Sequence, residues 1–136
     1  MYNKTWACPP AVGTPEECRA RCLRFPRALM ITTVTEVRDI ADIHETLATR
    51  GPHEEITRQA AKLVKEQAAE VMVLSTEACA VCEECAWPHG PCRHPDRMFP
   101  CVESHCIIAT DIAEKHGIEF FSGNIVTWFS LIFFRE

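Results

Sequence analysis

Apolar side chains recur every three or four residues in two consecutive segments, residues 37–48 and 56–71. This spacing places the apolar groups on one face of a helix, so the two segments predict two amphipathic helices. Gly51 and Pro52 lie between them and are expected to end the first helix. A helix of this kind must bury its apolar face against another element, which predicts a sheet beneath the pair.

The remaining pattern supplies that sheet and two further helices. Runs of β-branched and apolar residues predict strands at 28–34, 71–75, 118–121 and 125–134. Thr14 and Glu17 form a capping box before an expected helix at 15–23, and another helix is expected from Pro100 to about residue 116, ending at Gly117. The layout predicts an α/β or α+β fold, in which a small sheet is covered by helices.

Length, composition and charge narrow the class of protein. The 136 residues are 47% hydrophobic and 24% charged, as in an ordinary globular domain, so we expect residues 1–136 to form a single domain. The net charge of −5, without any basic run, argues against a nucleic-acid partner. A membrane helix requires about 20 apolar residues, twice the length of the longest run here, so no membrane partner is expected. The N-terminal residues lack an export signal, which predicts a cytoplasmic protein.

The nine cysteines fall in two groups along the chain. None occurs between residues 23 and 78, and most follow the second predicted helix. Residues 79–101 break the hydrophobic periodicity and contain four prolines, which predicts a loop. A loop of this length in a compact domain is usually functional or tethered, so we expect a cysteine-rich metal-binding loop lobe.

Four cysteines of this loop have the spacing of metal ligands. Cys79, Cys82 and Cys85 form C-x2-C-x2-C, and Cys92 follows after six residues. In a reducing cytoplasm such thiolates are more often ligands than disulfides. The spacing resembles that of [4Fe–4S] ligands, although the usual last gap is three residues. Zinc would accept four thiolates as well, and a disulfide framework or unliganded thiols remain as further alternatives.

The other cysteines and the histidines have weaker signals. Cys18 and Cys22 lie one helical turn apart and either pack as small apolar groups or share a metal with Cys8. Packing is also the favoured interpretation of Cys101 and Cys106. His44 is expected in the interior. His89 and His94 are expected in solvent, unless one of them replaces a thiolate in a zinc site. Arg93 and Arg97 are expected near the fourth ligand, where they are either solvated or offset the charge of a cluster.

Enzyme signatures are scarce in this chain. It has no glycine-rich phosphate loop, no Gly-x-Ser-x-Gly elbow and no His-Glu-x-x-His helix, so we do not expect an enzyme acting by itself. The leading hypothesis is an iron–sulfur protein for electron transfer or redox sensing, with a protein redox partner. The alternative is a zinc-stabilised protein-interaction module without redox chemistry, and a weaker one is an accessory factor whose cluster supports catalysis. The oligomeric state is left open.

Three motifs together resemble a known family. They are Tyr2-Asn-Lys-Thr-Trp-Ala-Cys-Pro-Pro-Ala-Val-Gly13, then Cys79-x2-Cys82-Glu-Glu-Cys85-Ala, then Pro91-Cys92-Arg-x-Pro95. The chain resembles, over nearly its whole length, the predicted metal-binding proteins of domain of unknown function 2284, which are common in anaerobic bacteria and archaea. The resemblance implies a metal or iron–sulfur centre on Cys79, Cys82, Cys85 and Cys92, and no established reaction.

The chain departs from that family pattern in two places. Relatives usually carry further cysteines upstream of the position matching Tyr2; if those join Cys8 in a second centre, this version is truncated and its second centre incomplete. Cys106 stands where the family often has glycine, and Ile108 where it often has aspartate. We therefore expect the start of the last helix to differ from that of its relatives.

Overall fold

A computed structural model describes residues 2–76, 79–120 and 122–136. These described residues form four α-helices and three strands, with one short 3-10 helix before the last α-helix. In chain order they are α1 (Pro15–Leu23), β1 (Arg27–Glu36), α2 (Ile43–Ala48), α3 (Arg50–Lys65), β2 (Glu70–Leu74), the 3-10 helix (Glu103–His105), α4 (Ala109–Lys115) and β3 (Ile125–Arg135). No α-helix in these ranges is both long and apolar enough to cross a membrane.

The strands form one antiparallel sheet in the order β1-β3-β2. Ile31 of β1 pairs with Ser130, and Leu74 of β2 pairs with Leu131. β3 takes the central position because its residues are buried almost without interruption, as its long apolar run requires. The fold is therefore α+β, which confirms the predicted small sheet with helices. Three of the four predicted strands are confirmed. The fourth was wrong for residues 118–120, which form no strand, and its last residue lies outside the described part of the chain.

Local sequence signals explain how α1 begins. The Thr14 hydroxyl accepts a hydrogen bond from the Glu17 backbone N–H at 3.2 Å, which satisfies one of the free donors of the first turn. Pro15 occupies the first helical position, where its missing N–H costs nothing. Both features agree with the predicted helix at 15–23.

The break between α2 and α3 differs from the prediction. Helix α2 begins only at Ile43, and α3 begins at Arg50. Gly51 and Pro52 therefore lie in the first turn of α3 instead of ending α2. The first turn of a helix tolerates proline because N–H groups there have no carbonyl partner within the helix. The chain instead turns at Thr49, whose hydroxyl donates to the Thr46 carbonyl.

The predicted helix from residue 100 to 116 is interrupted. The 3-10 helix is followed by Cys106, which has a left-handed backbone with φ of 61°, and α4 begins three residues later. This conformation suits glycine far better than a residue with a Cβ, and the expected difference from relatives stays a prediction. Gly117, with φ of 67°, follows α4 as predicted.

The core lies between the sheet and the chain segments packed on it. Phe129 and Leu131 from β3, Leu74 from β2 and Val102 form its main buried cluster. The loop segment 79–100 contributes no helix or strand among its residues. It reaches the sheet through an isolated bridge between Ser75 and Cys101, which brings the cysteine loop to the end of β2.

Candidate metal centre

The four predicted ligands line one small cavity, which we call the thiol cavity. Cys79, Cys82, Cys85 and Cys92 all contribute to its wall, and it encloses about 20 Å³. All four are free thiols and half-buried. The remaining wall residues are Trp6, Val81, Ala86, Arg93, His94 and Met98. The four cysteines that the spacing singled out therefore line the wall of one cavity.

The N-terminal segment holds the loop in place. The indole N–H of Trp6 donates to the Gly90 carbonyl at 3.0 Å, and that of Trp87 donates to the Asn3 side chain at 2.9 Å. The two indole rings meet edge to face, with their centroids 4.8 Å apart. Each of the two hydrogen bonds joins residues 84 positions apart in the chain. They explain part of the order of a segment that has no secondary structure of its own.

Arg93 brings a positive charge to the thiol cavity. Its guanidinium donates to the Glu84 carbonyl at 2.8 Å, which ties the residue after Cys92 to the segment between Cys82 and Cys85. Four thiolates would carry more negative charge than one bound ion neutralises, so a nearby cation offsets part of it. Arg93 itself is exposed, and its role in offsetting cluster charge stays a prediction. Arg97 lines a neighbouring cavity instead.

The environment of Cys79 sets the protonation of its thiol. Burial raises the pKa of Cys79, a hydrogen bond from the Val81 backbone N–H lowers it, and the neighbouring thiols at Cys85, Cys92 and Cys82 raise it further. The thiol therefore stays protonated at neutral pH, so a metal must displace its proton on binding. The Val81 N–H already faces the sulfur, as the short gap of a C-x2-C motif predicts.

A second pair of thiols lies beside the thiol cavity. The Sγ atoms of Cys8 and Cys101 lie 2.9 Å apart and are buried, and Cys79 and Met98 pack against them. The Cys101 backbone N–H donates to the Ala7 carbonyl at 3.0 Å, which holds the two segments together. Sequence reasoning missed this pair, because it grouped Cys8 with Cys18 and Cys22. No local signal joins residues 93 positions apart.

The remaining cysteines gather where α1 meets the 3-10 helix. Cys18 is buried, and its sulfur accepts a hydrogen bond from the Arg21 guanidinium at 3.1 Å. Cys22 packs against the main core. Packing is thus the outcome for these two, as it is for buried Cys101, whereas Cys106 is exposed and its predicted packing was wrong. Burial raises the pKa of both helix thiols, and Cys106 adds to the effect.

Two histidines that the sequence did not single out are buried. His105 donates through Nδ1 to the Cys101 carbonyl at 2.8 Å, while Arg21 donates to its Nε2 at 3.3 Å. Burial lowers the pKa of His105, the hydrogen bond to the Cys101 carbonyl raises it, and the positive charge of Arg21 lowers it, with a net decrease. His53 is buried as well, whereas His44, expected in the interior, is exposed. Of the two loop histidines, His94 lines the thiol cavity.

Across residues 2–76, 79–120 and 122–136, no three side chains of His, Cys, Asp or Glu converge closely enough to hold one metal ion. The chemistry of the donors still fits a metal group, because four thiols share one cavity with a backbone N–H aimed at a sulfur and a cation beside them. Thiolates are the ligands of iron–sulfur clusters and of structural zinc.

The fold and this arrangement define a small α+β protein with four thiols of one loop gathered around a single cavity. The chain belongs to the family of predicted metal-binding proteins described as domain of unknown function 2284, whose family model matches residues 1–134. The family description and the nine cysteines support metal binding. Comparison with curated proteins gives no match, and neither does comparison with solved structures.

Proposed function

We propose that this protein binds a [4Fe–4S] cluster on Cys79, Cys82, Cys85 and Cys92 and uses it in electron transfer or redox sensing. The observation that carries the proposal is the shared cavity of these four thiols. Their C-x2-C-x2-C spacing is the one found in bacterial ferredoxins, which favours a cluster over a single ion. When bound, such a cluster takes up and gives back one electron.

The chain's own residues would tune such a cluster. The four thiols supply the ligands, and the Val81 N–H hydrogen-bonds the Cys79 sulfur. Hydrogen bonds to ligand sulfurs and nearby positive charge stabilise the more reduced, more negative state, so Val81 and Arg93 would raise the reduction potential. The exposed neighbours Glu83 and Glu84 lie at the surface, where a redox partner protein could dock. Free thiols throughout the chain suit a reducing compartment such as the cytoplasm.

The second candidate is a zinc-stabilised module that presents a partner surface and has no redox chemistry. The small volume of the thiol cavity favours it, since about 20 Å³ is close to the space of a single water molecule. Four thiolates are a common ligand set of structural zinc, which contributes directly to folding. In this role the metal would hold Cys92 to residues 79–85 of the loop.

The test is metal and acid-labile sulfide analysis of the full chain purified without oxygen. Iron and sulfide in about equal amounts, with the visible absorption of a cluster, are expected for the first candidate. The Cys82→Ser variant is expected to lose both. Cys106→Ser is the matched control, because the same substitution is made at an exposed cysteine outside the cavity and should leave the metal content unchanged.

Two results would decide against the cluster. Zinc without sulfide, lost in Cys82→Ser and kept in Cys106→Ser, would establish the zinc module. Equal metal content in the wild type and Cys82→Ser would show that the ligands lie elsewhere. Reduction potentials of Arg93→Gln and wild type then test the electrostatic argument, with a lower potential expected in the variant.

A further inference from the structure

A second cavity lies beside the thiol cavity and has a different chemistry. It encloses about 200 Å³ between the start of α3 and the cysteine loop. Three arginines line it, Arg50, Arg58 and Arg97, and we call it the arginine cavity. The two cavities share Cys79 and Val81, so a molecule in the arginine cavity would lie next to the proposed metal centre.

The charge of this cavity is opposite to that of the protein. Glu54 is the one acidic residue in its described lining, against the three arginines, while the chain as a whole carries −5. The Glu54 carboxylate is already engaged, because the Ser75 hydroxyl donates to it at 2.5 Å. A cluster of arginines in an acidic protein creates a local positive potential that attracts anions.

Two buried polar atoms in this lining have no hydrogen-bond partner among the described residues. They are the hydroxyl oxygen of Thr76 and the Nε of Arg58. Thr76 is only 7% exposed, so water does not readily reach it. A buried polar group without a partner is costly to the folded protein, and a ligand that accepts hydrogen bonds would remove that cost.

The orientation of Arg58 is set by two further contacts. Its Nη1 lies 3.4 Å from the Glu55 carboxylate, and its guanidinium lies over the Phe99 ring at 5.6 Å from the centroid. These contacts hold the guanidinium while leaving Nε free to donate. An anchored arginine loses little side-chain entropy when it binds a ligand, and its planar donors match the oxygens of carboxylate and phosphate.

We propose that the arginine cavity is a binding site for a small oxyanion, a carboxylate or a phosphate, held by Arg58, Thr76 and the other two arginines. The Thr76 hydroxyl and the Nε of Arg58 can both donate to an anionic oxygen. A cation alone or a neutral apolar molecule would leave at least one of these two groups unpaired. The volume is below the 300 to 1,000 Å³ typical of sites for drug-sized ligands, which limits the ligand to a small molecule. The site does not require the metal centre.

Titration calorimetry of the anaerobically purified full chain tests this proposal. The probes are acetate, succinate and inorganic phosphate, each at constant ionic strength in chloride. We expect saturable binding of at least one of them, and the comparison of the carboxylates with phosphate identifies which oxyanion the site prefers. Metal content is measured on the same sample, so a missing metal centre is distinguished from a missing anion site.

Variants separate a ligand contact from a structural role. Thr76→Val keeps the shape but removes the hydroxyl, and it should weaken binding about tenfold, as expected for a lost hydrogen bond to a charged group. Because that hydroxyl has no partner in the free protein, the thermal unfolding temperature of Thr76→Val should not fall. Thr76→Ser should retain binding, Arg58→Gln should lose it, and Arg38→Gln, at an arginine that is 92% exposed, should behave as wild type.

Either of two outcomes would overturn the proposal. One is the absence of saturable binding by every probe up to about 10 mM, beyond the millimolar range of a marginal site. The other is binding that Thr76→Val and Arg58→Gln leave unchanged, which would place the anion elsewhere on the surface.

Discussion

The burial of His53 makes the stability of this protein depend on pH. The side chain lies in α3, has no exposed surface and forms a hydrogen bond of 2.9 Å between Nδ1 and the Thr33 hydroxyl of β1. Its Nε2 has no partner among the described residues. A charge at this position would be desolvated without compensation, so burial lowers the pKa of His53 from 6.5 to about 4.

The sign of the effect follows from where the proton binds. Below pH 6.5 the unfolded chain takes up a proton on His53, while the folded protein does so only near pH 4. The contribution of neutral His53 to stability is therefore complete above pH 6.5 and is lost as the pH falls to about 4. It amounts to about 3 kcal/mol over the whole range, of which about 2 kcal/mol is lost between about pH 7 and pH 5.

Urea unfolding at the two pH values measures this loss in wild type and in His53→Gln. Glutamine does not titrate and can still hydrogen-bond Thr33, so the variant should lose about 2 kcal/mol less than wild type between the two pH values. His44→Gln is the control, because His44 is an exposed helix residue. A metal centre that is sensitive to acid affects all three proteins alike. Equal losses in wild type and His53→Gln would refute the reasoning, as would an NMR titration in which the His53 ring protonates near its ordinary pKa.

Three further predictions concern single sites. Mild oxidation of the metal-free protein with diamide should cross-link Cys8 to Cys101, whose sulfurs are 2.9 Å apart, and peptide mapping that finds both thiols still free would contradict this. Phe129→Ala should reduce the free energy of unfolding by about 3 to 5 kcal/mol, because the ring is fully buried in the main core. A loss below about 1 kcal/mol in urea unfolding would be inconsistent with that packing. Cys106→Gly should raise the free energy of unfolding by up to about 1 kcal/mol, since φ of 61° suits glycine, and a lower unfolding temperature in calorimetry would argue against it.

Local signals in the sequence were enough to predict most of the fold. The Thr14 cap with Pro15 acts within one turn of α1, and the long apolar run of β3 requires a central strand whatever its neighbours are. The candidate ligands were predictable for the same reason, since three of the four are separated by only two residues. The prediction failed where Gly51 and Pro52 have two compatible positions, at a helix end or in a first turn.

Tertiary structure alone decided which distant groups meet. The pairing of Cys8 with Cys101, the burial of His53 and the arginine cavity beside the thiols all depend on contacts across tens of residues. Periodicity records only which face of a segment is apolar, and it does not say which other segment covers that face. The sequence by itself therefore determined most of the elements and the cysteine motif, whereas packing determined the surroundings of the motif, because burial and charge depend on neighbours that the chain order does not specify.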